Sequence, residues 1–162
     1  MIDNWGIAIR LARVTGRTAS YRPVTSIIGI IMPVKNLPPK DTTASHYKSI
    51  SYETLAASWL LNDGWETYLP LVDHGMKTDL IIADGNNFYR IQIKSVDTND
   101  ECFVVDNKWS KSAIDYVVFF SRQGDWGYIT PPFPEDQRKL NSPGHIRFHQ
   151  HPKNFTKAFA MA

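Results

Sequence analysis

The chain has 162 residues, of which 43% are hydrophobic and 12% aromatic, enough for the single packed domain that this length predicts. Its only cysteine, Cys102, excludes an intrachain disulfide and a paired-thiol metal site, which predicts an intracellular, cytoplasmic protein. The longest apolar run, residues 27–34, is far shorter than the roughly 20 residues of a membrane helix, and no signal-peptide core is present. We therefore expect a soluble protein without a membrane partner.

The net charge of +2 conceals an uneven distribution of charge along the chain. Residues 1–50 contain seven Lys and Arg against two acids, and residues 137–162 contain five Lys and Arg and no acid. Residues 51–136 contain six basic and fourteen acidic residues. Basic flanks around an acidic centre favour a protein that grips a polyanion with its edges and holds a cation in its middle. Solvated ends around an ordinary domain explain the charges equally well.

The first part of the chain predicts an N-terminal extension, residues 1–48. Apolar side chains at helical spacing predict a helix over 4–14, and an apolar, β-branched run follows over 26–34. A helix-turn-helix is disfavoured because Pro23 falls where its second helix would continue. The Pro, Lys and Thr-rich stretch over 37–45 predicts a linker or exposed arm.

The main domain is predicted over residues 49–162, with a basic C-terminal tail. Apolar residues recur at helical spacing from Tyr52 to Leu60, and Asn62-Asp63-Gly64 ends the predicted helix. The further elements predicted are strands over 65–71, 79–83 and 88–96, a hairpin turn at 84–87, a helix-like segment around 108–111, and strands over 116–120 and 127–130. This order, αβββαβ followed by one further strand, predicts a mixed α/β domain.

Polar side chains share one face of the third predicted strand. Because side chains alternate along a strand, Gln92 and Lys94 point the same way. The predicted hairpin brings Asp79 close to them, and Glu53 leans over the same face if its helix packs there. Carboxylate and carbonyl oxygens hold Mg²⁺, and a lysine orients a water or offsets charge on a phosphorane, so the set suits metal-assisted phosphodiester hydrolysis.

Each of these residues also has a simpler explanation. Glu53 favours the positive end of a helix dipole, Asp79 is suited to cap a turn, and Lys94 suits an exposed strand face. Only their joint spacing favours the catalytic interpretation over the structural one.

Glu53, Asp79 and Gln92-Ile93-Lys94 resemble the motif of the PD-(D/E)XK nucleases, and the resemblance covers about residues 51–131. It implies a restriction-endonuclease-like α/β core, with a central mixed sheet flanked by helices. Gln92 departs from the motif, where an Asp or Glu is expected. Similar glutamine variants occur in group I intron homing endonucleases of cyanobacterial type, and the spacing from Glu53 to Asp79 to Gln92 is similar to theirs.

The resemblance implies a Mg²⁺-dependent, site-specific double-strand DNA endonuclease of the homing type, with Mn²⁺ as a substitute. Glu53, Asp79, Gln92 and Lys94 are the implied catalytic residues, and the first three with the Ile93 carbonyl are the implied metal ligands. Each compact site cuts one strand, so double-stranded DNA implies a homo-oligomer, a dimer or tetramer. The loss of one negative charge at Gln92 puts a two-metal site in doubt.

Two other functions fit the same residues. A structure-specific nuclease such as a Holliday junction resolvase would use the same site, and a DNA-binding or assembly protein with a decayed site would explain Gln92. The predicted DNA contacts are Arg10, Arg13, Arg17, Lys77, Ser95, Lys108 and Lys111. For His145, His149 and His151, phosphate contact or simple exposure is favoured over a zinc site, because no carboxylate or thiol accompanies them in sequence. Trp109, Trp126 and Phe133 are expected to pack rather than stack on bases.

Overall fold

The computed structural model describes residues 37–72 and 75–162, and Pro38–Ala162 forms one compact unit. The predicted helix over 4–14, the β-branched run over 26–34 and the basic residues Arg10, Arg13 and Arg17 lie outside the described residues. The elements are, in chain order, α1 (Asp41–Asn62), β1 (Glu66–Tyr68), β2 (Leu80–Asp84), β3 (Asn87–Val96), β4 (Val104–Asp106), β5 (Tyr116–Ser121), β6 (Trp126–Thr130), β7 (Gln137–Lys139), β8 (Ile146–His149) and α2 (Pro152–Phe159).

Helix α1 contains the predicted helix but begins eleven residues before Tyr52, at Asp41. The linker predicted over 37–45 is therefore wrong from Asp41 onward. These residues form an exposed helical turn whose acidic first residue suits the positive end of the helix dipole. The predicted end is confirmed: Gly64 adopts φ +98°, and the N–H groups of Gly64 and Trp65 bond the carbonyls of Leu61 and Leu60.

Within the described residues, six strands form the central sheet, in the order β1-β2-β3-β5-β6-β8. Of these neighbours, β3 and β5 pair in parallel and the others are antiparallel, so the predicted mixed sheet is confirmed. The predicted hairpin turn is also confirmed, because Asp84 pairs with Asn87 around Gly85, whose φ is +59°. Strand β1 is shorter than predicted, and β2, β3, β5 and β6 match their predictions to within one residue at each end.

The sheet buries a different core on each face. On the first face, Ile91 and Ile93 of β3 pack in one cluster with Trp59 of α1 and Phe155 of α2. On the second face lies another cluster that includes Val117 and Phe119 of β5, whose register partners in β3 are Gln92 and Lys94. The β4–β7 ribbon and the loop over 107–115 cover this second face. Both helices therefore lie on the face opposite Gln92 and Lys94.

The helix predicted around residues 108–111 is wrong. These residues form a turn, and Trp109 anchors it with only 2% of its surface exposed, against Phe119 and Phe133. A loop held by one large side chain buries the apolar surface that a second helix would bury. Trp126 and Phe133 are also buried, which confirms the expectation that these aromatic residues pack.

The basic tail is folded, which the sequence did not predict. It forms β7, the edge strand β8, and α2, whose Phe155, Ala158 and Phe159 are buried on the first face. In the described part of the chain, no helix is long and apolar enough to cross a membrane.

Candidate active site

Asp79 stands immediately before β2, where it meets the middle of β3. Its backbone N–H donates to the Ile91 carbonyl at 3.0 Å, and its Oδ2 accepts a hydrogen bond from the Ile93 N–H at 2.7 Å. The hairpin register, in which Leu80 pairs with Ile91, brings these groups together. The structure therefore places the Asp79 carboxylate against the Gln92-Ile93 peptide, as the sequence predicts.

The carbonyl of Ile93 faces the same side as Asp79. In a strand, the N–H and C=O of one residue project from the same edge, and the Ile93 N–H points to Asp79. Strand β2 begins at Leu80, so it provides no ladder residue opposite Ile93. Among the described residues, no backbone N–H donates to this oxygen, which lies at the end of β2 beside the carboxylate.

Gln92 is the least expected residue of the sheet, since a long amide side chain is only 1% exposed there, whereas the other buried polar residues of the sheet are the small Ser121 and Thr130. Among the described residues, its Oε1 has no hydrogen-bond donor. A buried acceptor without a partner is destabilising by roughly 1–3 kcal/mol and calls for a specific explanation, such as an ion or water. A ligand for this oxygen would provide one.

Lys94 lies two residues further along β3 on the same face and is half-buried. It lines an open cleft of about 280 Å³ between the sheet and β4, together with Lys108. No ion pair among the described residues involves Lys94. Its ammonium group therefore borders a space large enough to admit a ligand.

Glu53 lies on α1 and is half-buried beside Tyr52. The expected packing of its helix over the Gln92 face is wrong, because α1 covers the Ile91 and Ile93 face instead. The physical reason is the apolar stripe of α1, which packs on the more apolar face of β3.

The oxygens at the end of β2 suit a divalent cation. Within residues 37–72 and 75–162, no group of three or more His, Cys, Asp and Glu side chains could hold a metal ion. A cation here would depend on Asp79 and on neutral oxygens, from the Gln92 amide and the Ile93 carbonyl, with Glu53 as a second acid. Such oxygen donors are those that Mg²⁺ prefers, and the unpartnered Gln92 Oε1 fits this set.

The predicted DNA contacts fall in different environments. Lys77 is exposed, and its φ of +60° is a left-handed backbone conformation that costs a non-glycine residue roughly 1–2 kcal/mol. Lys108 and Lys111 are exposed on the loop over the second face. Ser95 accepts hydrogen bonds from Arg122 at 2.7 and 2.9 Å on the opposite face. Of these four residues, Ser95 and Lys108 both line the cleft beside Lys94, and Ser95 is the one held by a second side chain, Arg122.

Sequence reasoning missed the role of Arg122. Its guanidinium bonds Ser95 and reaches Ser49 of α1 at 3.2 Å, so it joins the end of β3 to the helix that carries Glu53. The three residues are far apart in the chain, and no local pattern links them.

A polar network ties the loop after β3 to β6 and β8. Arg147 donates to both carboxylate oxygens of Glu101, at 2.8 and 2.9 Å, and the Tyr128 hydroxyl donates to the same carboxylate at 2.5 Å. The hydrogen bonds from Arg147 hold the pKa of Glu101 below its usual value. Burial, and next the bond to Glu101, raise the pKa of Tyr128 to about 12. One cation of the basic tail is thus offset by an acid.

The three histidines lie in separate surroundings. His145 stacks on Phe133 and its Nδ1 lies 2.8 Å from the Leu140 carbonyl, while burial lowers its pKa. His149 lies 3.4 Å from Asp125, and His151 precedes the first turn of α2. Their contacts are with the protein itself, and whether His149 or His151 also meets phosphate stays a prediction.

The fold and the site together define a mixed α/β protein with an Asp and a Gln-Ile-Lys triplet at a hairpin. Among the solved structures similar to it is the bacterial homing endonuclease I-Ssp6803I, with a TM-score of 0.49 and 20% identity, covering 72% of this chain and 89% of that one. Another is Hjc, a Holliday junction resolvase from the archaeal hyperthermophile Archaeoglobus fulgidus, with a TM-score of 0.39 and 9% identity, covering 70% of this chain and 88% of that one. No protein-family profile and no curated protein matches the sequence. The likeness concerns the fold, and it carries no residue role over to this chain.

Proposed function

We propose that the protein is a divalent-metal-dependent DNA endonuclease with its active site at the end of β2. One observation supports this most strongly: the Asp79 carboxylate is fixed on the Ile93 N–H beside a buried Gln92 oxygen that has no donor among the described residues. An ordinary strand core would place an apolar side chain at this position. The cleft beside Lys94 provides access for a phosphodiester.

In this proposal, some residues of the chain would bind the metal and Lys94 would contact the substrate. Asp79, Gln92 and the Ile93 carbonyl, with Glu53, would hold Mg²⁺, which polarises the phosphate and makes bound water a better nucleophile. The hydrogen bond from Ile93 keeps the Asp79 carboxylate oriented. Lys94 contacts the scissile phosphate or the attacking water and offsets the charge that develops on the phosphate oxygens.

The finer proposal is a homing-type enzyme that makes a specific double-strand break. It is supported by the Gln92 variant of the motif and its spacing from Asp79 and Glu53. One site per chain cuts one strand, so this activity requires a homo-oligomer. Residues 49–162 would contain the active site, and the basic residues of 1–48 would bind the DNA duplex.

Lys94→Ala tests the proposal. We expect wild-type protein to nick or linearise supercoiled plasmid in Mg²⁺ or Mn²⁺, whereas Ca²⁺ permits DNA binding without cutting. Lys94→Ala lowers the single-turnover rate by roughly 10²- to 10⁴-fold, the range for a positioned acid–base group. DNA binding in Ca²⁺ and the melting temperature stay unchanged. Lys153→Ala, at an exposed position of α2, is the matched control and keeps full activity.

The alternatives give different results in the same assay. Cleavage of a four-way junction with no plasmid cutting favours the resolvase. No cutting in any divalent metal, with DNA binding retained, favours a binding protein with a decayed site. Efficient cleavage in EDTA would show that the reaction does not require a metal. A fully active Lys94→Ala protein would show that it does not require this lysine.

A further inference from the structure

We propose that the cleft beside Lys94 holds a single unpaired nucleotide of the DNA strand, with its base on an apolar wall and its phosphate on two lysines. We call it the β4 cleft, and its lining residues are Lys94, Ser95, Val96, Phe103, Val104, Val105, Asp106, Lys108, Trp109 and Phe119. The inference rests on the proposed function, because it assigns a substrate group to the space beside the proposed catalytic lysine.

The size of the β4 cleft limits its occupant. Its volume of about 280 Å³ lies just below the roughly 300–1,000 Å³ of sites for drug-sized ligands. One nucleotide unit fits this space better than a longer segment does. The cleft is open to solvent along one side, so a nucleotide can remain joined to its strand.

The outer wall of the β4 cleft is apolar and exposed. Phe103 is 41% exposed and Val104 is 44% exposed, although both lie where the small ribbon crosses the sheet. An exposed aromatic ring beside cationic side chains is the combination that binds unpaired bases, because every base can stack on an aromatic face. A wall that only closed the core would bury these side chains.

Charge favours an anionic ligand in the β4 cleft. Lys94 and Lys108 contribute two cations, and the single acid, Asp106, accepts a hydrogen bond from Gln137 at 2.9 Å. By contrast, the cleft between the end of α1 and β2 is bordered by Asp63 and Asp84 with no cation. A phosphate is therefore attracted to the β4 cleft and repelled from the other one.

The floor of the β4 cleft includes a polar group without a partner. Trp109 is 2% exposed, and its rings pack 6.1 Å from Phe119 and 5.1 Å from Phe133, measured between ring centroids. Its indole N–H has no acceptor among the described residues. A ligand in the cleft would change the surroundings of this ring first, so Trp109 serves as a built-in reporter.

In this arrangement, the β4 cleft would bind the nucleotide beside the scissile phosphate after that nucleotide leaves the base stack. Extruding a base costs a few kcal/mol in a paired duplex and less where the base is mismatched or already single-stranded. The β4 cleft would therefore favour DNA with an unpaired nucleotide near the cut. It would do so with little preference among the bases, since stacking does not identify the base.

Binding of single-stranded oligothymidylate, compared with an abasic strand of equal length, tests the inference. Both strands carry the same phosphates, so only the bases differ. We expect the strand with bases to bind more tightly in Ca²⁺ and to shift the ¹⁹F resonance of Trp109 in fluorotryptophan-labelled protein, identified by its loss in Trp109→Phe. Phe103→Ser lowers affinity for the strand with bases roughly 5- to 100-fold, the effect of one stacking ring. It leaves binding of the abasic strand unchanged.

Two controls separate the base from the phosphate. Phe88→Ser removes an exposed phenylalanine at the hairpin and leaves both affinities unchanged. Lys108→Ala weakens both strands equally. Equal affinity for the two strands, or a Phe103→Ser protein that binds like the wild type, overturns the inference. Because these measurements involve no cleavage, base-dependent binding without nicking in any metal rejects the nuclease proposal and leaves the nucleotide site standing.

Discussion

The side chain of Gln92 lies on the second face of the sheet, where its register partner in β5 is Val117. Lys94 follows two residues ahead on the same face, and its partner in β5 is Phe119. A leucine would fill this volume without leaving an acceptor unpaired. The retained amide therefore lowers the stability of the metal-free fold, and the proposed ion would recover this loss by binding only the folded state.

Gln92→Leu should separate stability from function. We expect the metal-free variant to be more stable than the wild type by about 1 kcal/mol, because it removes a buried unsatisfied oxygen. We also expect Mg²⁺ to stabilise the wild type but not the variant. Urea unfolding with and without Mg²⁺ measures both effects. A variant that is less stable than the wild type in the absence of metal would show that the amide is satisfied in solution.

Single-turnover cleavage against Mg²⁺ concentration provides the matching measurement on activity. Gln92→Glu keeps an oxygen and adds charge, so metal affinity is at least retained and some cleavage survives. Gln92→Ala removes the oxygen, so metal affinity and rate both fall. If Gln92 instead bonded DNA or braced Lys94, the Glu variant would be worse than the Ala variant, since a carboxylate would face a phosphate or bind the ammonium. An Ala variant with wild-type metal dependence would remove Gln92 from the proposed ligands.

Glu101 makes the stability of the fold sensitive to acid. Hydrogen bonds from Arg147 lower the folded-state pKa of Glu101 below its usual 4.5. Between these two pKa values, the folded state therefore binds fewer protons than the unfolded state. The stabilisation is fully present above pH 4.5 and is lost as the pH falls through the lowered pKa. We expect Glu101→Gln to flatten this part of the stability curve, measured by urea unfolding at a series of acidic pH values. An unchanged slope would mean that the ion pair does not persist in solution.

At the scale of elements, Phe155 joins both helices to the sheet. Its ring centroid lies 5.2 Å from that of Trp59 in α1, 5.1 Å from Phe148 in β8 and 6.3 Å from Phe120 in β5. The side chain is fully buried. The basic tail is therefore part of the first-face core, and its α2 is held by aromatic packing.

Phe155→Ala should lower the free energy of unfolding by roughly 3–5 kcal/mol, because it leaves a large cavity among these rings. Phe88→Ala removes the same side chain from an exposed position and should change stability by less than about 0.5 kcal/mol. Urea unfolding of the two variants gives the comparison. A loss below about 1 kcal/mol for Phe155→Ala would mean that α2 does not dock on the sheet in solution.

Elements with local signals were predictable from the sequence. The hairpin around Gly85 has turn residues at fixed positions, and the alternation in β3 is continuous, so the meeting of Asp79 with the Gln92-Ile93 peptide followed from short-range geometry. The first half of α1 has no apolar period because it is exposed, and its helical structure could not be recognised from hydrophobic spacing.

The elements that could not be predicted from the sequence form through contacts between residues far apart in the chain. Strand β4 forms because Val104, Val105 and Asp106 pair with Lys139, Arg138 and Gln137, about thirty residues away. Neither three-residue segment is long enough to carry a strand pattern of its own. The position of Glu53 was missed for a related reason, since the choice of face for α1 depends on how the apolar stripe of the helix fits the whole sheet.

At the scale of the whole molecule, positive charge is divided between the two faces. Lys108 and Lys111 are exposed on the loop over the second face, beside the β4 cleft. Lys153 and Lys157 are exposed on α2, which packs on the first face. A duplex that reaches Lys94 approaches from the second face, so the two lysine pairs should contribute unequally to DNA binding.

The salt dependence of DNA affinity tests this division. Each phosphate that a cation neutralises contributes a slope of about −0.9 in log K against log salt. We expect a steep slope for the wild type, and a slope that is shallower by about 1.8 for Lys108→Gln/Lys111→Gln, two contacts at that value. Lys153→Gln/Lys157→Gln removes the same charge from the other face and should leave the slope nearly unchanged. Binding is measured in Ca²⁺ over a range of salt concentrations.

A charge-neutral variant separates direct phosphate contact from the overall field of the protein. Glu101→Gln/Arg147→Gln removes one charge of each sign from an ion pair, so it keeps the net charge and should not change the slope. If both lysine variants reduce the slope equally, net charge controls binding and the second face is not the DNA-binding surface. If the DNA affinity of the wild type does not depend on salt concentration, the basic residues of the chain do not contact phosphate. The proposed approach of DNA to Lys94 is then also wrong.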